Sequence, residues 1–186
     1  SVTWMADQAR SLGCWIAGSL AIDTGSGRPV NRLVAAGPEG ELTTYDKRHP
    51  FSFGKEPAVY DAGEDLATVE IDGMIWGLTG RYDLRFSYDY WSRANDLDGY
   101  LVVANWPRPR REHWQALLRA RAVENLAYVI GVNRVGTDGA GLNYAGDSAV
   151  ISPNGEVLAQ ASEREALLLV DIDPQATAAT RERFGF

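Results

Sequence analysis

The chain has 186 residues, with 18 Lys and Arg against 25 Asp and Glu and a net charge of −7 at neutral pH. That length suits one domain, residues 1–186, with a sizeable core. The acidic balance argues against a nucleic-acid surface, which needs clustered cations. No apolar run reaches membrane-spanning length, so no membrane partner is expected.

Val2, Met5, Ala6, Ala9 and Leu12 recur at helical spacing, and Gly13 stops the pattern. A chain that opens on Ser1 inside a helix is expected to have lost its beginning. CWIAGSLAI (14–22) is an apolar run of strand length. Its Cys14 is the sole cysteine, which excludes an internal disulfide and fits a reducing, cytoplasmic setting. In that run it is expected to behave as a small hydrophobe. DTGSGRP (23–29) is turn-rich. NRLVAAG (31–37) and ELTTYD (41–46) flank a Gly-Pro-Glu-Gly turn and read as a hairpin. Residues 47–65 form a loop. LATVEI (66–71) and MIWGLT (74–79) flank Asp72-Gly73, a strong hairpin signal.

After Gly80 a turn leads into a short helix. YLVVAN (100–105) and AYVIGVN (127–133) are continuous apolar strands, typical of a sheet covered on both faces. Between them, Trp114, Leu117, Leu118, Ala122 and Leu126 give residues 110–126 the spacing of a packed helix. The basic cluster of Arg108, Arg110 and Arg111, with Arg119 and Arg121 beyond, is expected to be solvated or ion-paired around that helix start. GDSAVIS (146–152) and EVLAQA (156–161) flank Pro153-Asn154-Gly155. ALLLVDI (166–172) reads as a last strand, and Asp173-Pro174 as the start of a final helix. The mixture of strand–helix–strand units with hairpins predicts an α/β domain: a helix layer on a mixed sheet, with a second sheet packed against the first.

Three segments, in this order and spacing, resemble the nitrilase superfamily of carbon–nitrogen hydrolases. They are YDKRHPF (45–51), GRYDLRF (80–86), and ANWPRPRREHWQALLRARAVENLAYVIGVNRVG (104–136) continuing to YAGDSAVISPNGEV (144–157). YDKRH, YDLRF and VANWP bring the chain nearest to the omega-amidase-like branch, which hydrolyses small 2-oxo-acid amides. The resemblance implies an α-β-β-α sandwich, a homodimer, no cofactor and no metal. It also implies a Glu–Lys–Cys mechanism. A glutamate acts as base, a thiolate attacks the amide carbon, ammonia leaves, and water hydrolyses the thioester. A lysine and a backbone N–H stabilise the oxyanion.

Carried over residue by residue, Lys47 matches the catalytic lysine, and Glu56 a second glutamate that holds the lysine in place. Tyr82 matches the donor of the oxyanion N–H. Asp83 and Arg85 are expected to brace their turn by hydrogen bonds. Trp106 either lines the pocket or simply packs. Glu124 matches a structural partner for a buried polar group. Ser87 to Tyr90 look like a small local insertion beside the pocket. The position of the nucleophile is taken by Arg81. A guanidinium stays protonated and has no lone pair for attack.

The segment carrying the base glutamate is expected to lie upstream of residue 1, which makes the domain an N-terminally truncated one. As written, the chain is expected not to hydrolyse amides. It is a fragment, a chance substitution or a true pseudoenzyme, and the alternative function is a dimerising, non-catalytic module that binds a small carboxylate.

Overall fold

The computed structural model describes residues 1–25 and 27–186, Phe53 by its backbone alone. Ser26, inside the expected turn 23–29, lies outside the described residues. Helix α1 (Val2–Leu12) ends where Gly13 takes a left-handed conformation, φ 63°. Strands β1 (Ile16–Ile22), β2 (Val30–Ala36) and β3 (Leu42–Asp46) form an antiparallel three-stranded sheet in that order. Strands β4 (Ala67–Ile71), β5 (Met74–Gly80), β6 (Gly99–Ala104), β7 (Tyr128–Asn133), β9 (Asn143–Ile151) and β10 (Val157–Ser162) make the second sheet, ordered β10-β9-β7-β6-β5-β4. The short β8 (Val135–Thr137) pairs with β9. Helix α2 (Ser87–Trp91) and helix α3 (Arg111–Asn125) lie in the β5–β6 and β6–β7 connections, and α4 (Ala176–Phe184) closes the chain.

Alternation along β2 explains the layering. Val34 and Ala36 face Met5 and Ala9 of α1, whereas Leu33 and Ala35 face Trp76, Leu78 and Tyr128 of the second sheet. On the far side of that sheet, Tyr100, Val102 and Ala104 of β6 pack with Trp114, Leu118 and Ala122 of α3. Three apolar interfaces therefore hold four layers, helix, sheet, sheet and helix, as expected. The β4–β5 hairpin turns on Asp72 (φ 50°) and Gly73 (φ 78°), the left-handed pair that an Asp-Gly turn supplies.

Two expectations are corrected. Residues 166–172 form no strand: Leu168, Val170 and Ile172 are half-buried, but Leu167 and Leu169 are 83% and 85% exposed. The alternation is present, yet among the described residues no strand runs alongside to complete a ladder. Cys14 is exposed rather than buried, because the chain turns out of α1 at Gly13 and β1 begins only at Ile16. Strand β8 has no counterpart among the expected elements, because three residues are too few to show a period.

Candidate active site

Strands β5, β6 and β7 run parallel, so Gly80, Ala104 and Asn133 end at one edge of the sheet. In such sheets the loops at the carboxyl ends of the strands form the ligand crevice. The loops after β5 and β6, the long loop after β3 and Tyr144 of β9 together line a cavity of about 510 Å³ at this edge.

Lys47 follows β3 directly. Its N–H donates to Asn31 O at 2.9 Å, and its carbonyl accepts from the Gly63 N–H at 2.9 Å. The backbone is thus fixed on both sides, and the side chain is only 3% exposed. Its Nζ lies 2.5 Å from Glu56 Oε2. The same oxygen accepts from the Phe51 N–H at 2.6 Å, and Oε1 from Asn31 Nδ2 at 3.3 Å. Burial pushes the Lys47 ammonium below its ordinary value, against the opposing pull of Glu56. Burial pushes the Glu56 carboxyl up, but the Lys47 contact, the Phe51 N–H and Asn31 outweigh it and hold it below the usual range. Lys47 and Glu56 therefore form a close, largely buried ion pair.

Asp83 organises the turn after β5. Fully buried, it accepts from Tyr45 OH (2.7 Å), from the Gly80 N–H (3.0 Å) and from the His49 N–H (3.0 Å). It so ties the end of β5 to the loop that carries Lys47. Gly80 is needed for space: a Cβ there would stand 3.1 Å from Asp83 Oδ2 and 3.3 Å from Lys47 Cγ. Burial raises the Asp83 carboxyl, and its three donors oppose that. Burial and the adjacent Asp83 likewise push the Tyr45 phenol far up, so it stays a donor. Arg85 does not share this bracing. It reaches away to His113 Nδ1 of α3 (2.9 Å) and lies over the ring of Trp106 at 4.9 Å, and the Asp83 oxygens are already occupied.

Arg81 extends the β5–β6 ladder by one step, its N–H donating to Val103 O at 3.1 Å. The half-buried side chain lines the cavity, with the guanidinium 5.0 Å from the Phe51 ring centroid. Among the described residues it makes no ion pair. Burial lowers its pKa, Glu56 opposes the shift, and the neighbouring Arg110 adds to it. Tyr82 places its ring against Phe51 (4.9 Å) and Phe86 (5.4 Å), and among the described residues nothing accepts from its N–H.

Trp106 is 3% exposed, packs at a tilt against Trp114 (centroids 5.7 Å) and donates from Nε1 to Arg110 O at 2.6 Å. One face of it closes a narrow crevice with Phe51 and Tyr82, so it packs and lines together. Glu124 pairs with the buried Arg121. The segment read as an insertion is α2. Its Asp89 binds both Arg48 (2.7 Å) and His49 Nε2 (2.7 Å), clasping the Lys47 loop from outside.

Of the basic cluster, Arg108 and Arg111 are ion-paired to Glu163 and Asp147. Arg110 is not; it turns into the cavity, 5.3 Å from the Phe51 centroid. Asn105, Tyr144 and Arg110 were not foreseen as cavity residues. The only sequence signal was position: Asn105 and Arg110 bracket Trp106-Pro107-Arg108-Pro109 immediately after a buried strand. Among the described residues no group of three or more His, Cys, Asp or Glu could hold a metal, and no helix is long and apolar enough to cross a membrane.

Residues 1–182 match the family model described as carbon-nitrogen hydrolase. The chain is 47% identical over 185 residues to omega-amidase YafV of Escherichia coli (strain K12), covering 98% of this chain and 71% of the relative. It is 35% identical over 185 residues to 2-oxoglutaramate amidase of Bacillus subtilis (strain 168), covering 97% and 70%. The crystal structure of XC1258 from Xanthomonas campestris, a CN-hydrolase superfamily protein with an arsenic adduct in the active site, superposes with a TM-score of 0.95. Its identity is 44%, with coverage of 99% of this chain and 72% of that one.

Proposed function

This chain belongs to the carbon–nitrogen hydrolase family, and we propose that it keeps the pocket of an omega-amidase-like member while lacking the hydrolytic step. Similarity to an omega-amidase and a 2-oxoglutaramate amidase supports the substrate class, a small 2-oxo-acid amide. The preserved Lys47–Glu56 pair and the Asp83-braced turn support the pocket.

The observation that carries the loss of chemistry is Arg81. It stands at the first residue past β5, where the family resemblance places the nucleophilic cysteine, and its guanidinium occupies the cavity. A thioester route needs a sulfur lone pair there, and a protonated guanidinium supplies none. Exposed Cys14 precedes β1 and is not among the cavity residues, so it does not replace the thiol.

The test is ammonia release from 2-oxoglutaramate by the full-length protein. The Arg81 form is expected to release none above the buffer blank, and Arg81→Cys is expected to gain release. Steady turnover by the Arg81 form overturns the reading.

A further inference from the structure

The cavity holds a charge pattern that amide hydrolysis does not call for. Lys47 and Glu56 neutralise each other. Both Glu56 oxygens are occupied, by Lys47, the Phe51 N–H and Asn31. Arg81 and Arg110 are left facing the same space, their guanidinium carbons 5.0 and 5.3 Å from one ring, that of Phe51. Among the described residues neither has a carboxylate partner, although both line the cavity and are only partly exposed. Two partly desolvated cations of like sign repel unless an anion lies between them. A fork-to-fork pair commits both oxygens of a carboxylate to one guanidinium, so a ligand with two carboxylates matches both forks.

From this we infer that the cavity is a receptor for a short-chain dicarboxylate, with one carboxylate on Arg81 and the other on Arg110. The inference rests on the reading that Arg81 has replaced the nucleophile. It adds that the replacement changes which end group the pocket prefers. A guanidinium presents only donors in a planar fork, and a carboxylate only acceptors, so the two meet through paired, charge-assisted hydrogen bonds. A primary amide offers one acceptor oxygen, and its NH₂ points donors at donors. Arg81 therefore favours the diacid over its monoamide, the reverse of what an amidase ground state needs. The cavity volume of about 510 Å³ leaves room for a chain of a few carbons between the two arginines.

Titration calorimetry of the full-length protein with glutarate, glutaric acid monoamide and inorganic phosphate at low salt decides the matter. Glutarate is expected to bind about tenfold or more tightly than the monoamide. In Arg81→Ala that gap is expected to close to about twofold, with weak binding of both ligands retained through Arg110. Arg81→Lys, which keeps the charge without the fork, is expected to fall between. Arg110→Ala is expected to weaken both ligands alike.

Equal binding of diacid and monoamide overturns the inference. So does a gap that survives in Arg81→Ala, phosphate binding more tightly than glutarate, or no binding by protein that melts cooperatively. Ammonia appearing in the monoamide titration is a separate signal, and it overturns the loss of hydrolysis rather than the ligand preference.

Discussion

Replacing Glu56 by Gln removes one charge at almost constant shape and isolates what the Lys47–Glu56 pair contributes. The two side chains are 3% and 14% exposed. Removing one partner of a buried pair costs about 3–5 kcal/mol, because the other charge is stranded. Lys47 has one escape, which is to lose its proton. From its ordinary value of 10.5, neutralisation at pH 7 costs about 5 kcal/mol at about 1.4 kcal/mol per pH unit. That figure is a ceiling, and it drops to about 2 kcal/mol at pH 9. The expected loss is thus about 3–5 kcal/mol at pH 7 and about 2 kcal/mol at pH 9. The sign follows from linkage. In the variant the folded state releases the Lys47 proton below the value at which the unfolded chain does. The unfolded chain then binds more protons across that window, and stability rises with pH.

On the acid side the wild type behaves differently from the variant. Glu56 is held below its ordinary 4.5, so its contribution is complete above that value and disappears as pH falls through the folded one. The amide of the Glu56→Gln variant does not titrate and carries no such dependence. Urea denaturation of both proteins at pH 3, 5, 7 and 9 reads both sides of the profile. A loss under about 1 kcal/mol at pH 7, or an equal loss at pH 7 and 9, would refute the buried-pair argument.

Three further substitutions test the scaffold around the pair. In Gly63→Ala the new Cβ would sit 2.2 Å from the Asp46 carbonyl oxygen, and backbone there cannot yield without moving Lys47. About 1–3 kcal/mol of stability is expected to go, seen as a lower thermal midpoint, and unchanged melting would show that the loop adapts freely. Asp83→Asn turns an acceptor of three hydrogen bonds into a group with two donors of its own. About 1–3 kcal/mol should be lost, and a loss below about 0.5 kcal/mol by urea titration would remove Asp83 as organiser of the turn. Trp114→Ala empties the centre of the α3 interface and frees the Asp147 carbonyl that its Nε1–H serves at 2.8 Å. About 3–5 kcal/mol is expected, with far-UV circular dichroism unchanged before the melt.

The features that could be read from the sequence are those with a local physical cause. The period of α1, the apolar runs of β6 and β7 and the Asp72-Gly73 turn each declare themselves within a dozen residues. Residues 166–172 failed for the complementary reason. Alternation describes a segment's own faces, whereas a strand also needs a neighbour, and no window of sequence contains that neighbour. The site divides in the same way. Lys47, Glu56 and Arg81 carry motif context; the fold brings Glu56 and Arg81 to one cavity and seats Lys47 against Glu56. Arg110 is 29 positions from Arg81 and sits in a charge run that reads as solvated or ion-paired, and Arg108 and Arg111 are in fact ion-paired. Which member of such a run turns inward depends on the Pro107–Arg110 turn, and that follows only from the packed position of Trp106.

The proposed replacement of the nucleophile at 81 has a structural basis. The turn after β5 is specified by its neighbours. Gly80 gives the space, Asp83 caps the strand end and draws in Tyr45 and His49, and the residue-81 N–H continues the β5–β6 ladder. None of these interactions uses the side chain at 81. A side chain held by its backbone alone can change without moving the frame, provided the cavity has space and the new charge is tolerated. Phe51 under the guanidinium, and a Glu56 already committed to Lys47, meet the first condition and leave the second to a ligand. The charge at 81 is therefore best read as a demand that the pocket makes on whatever enters it.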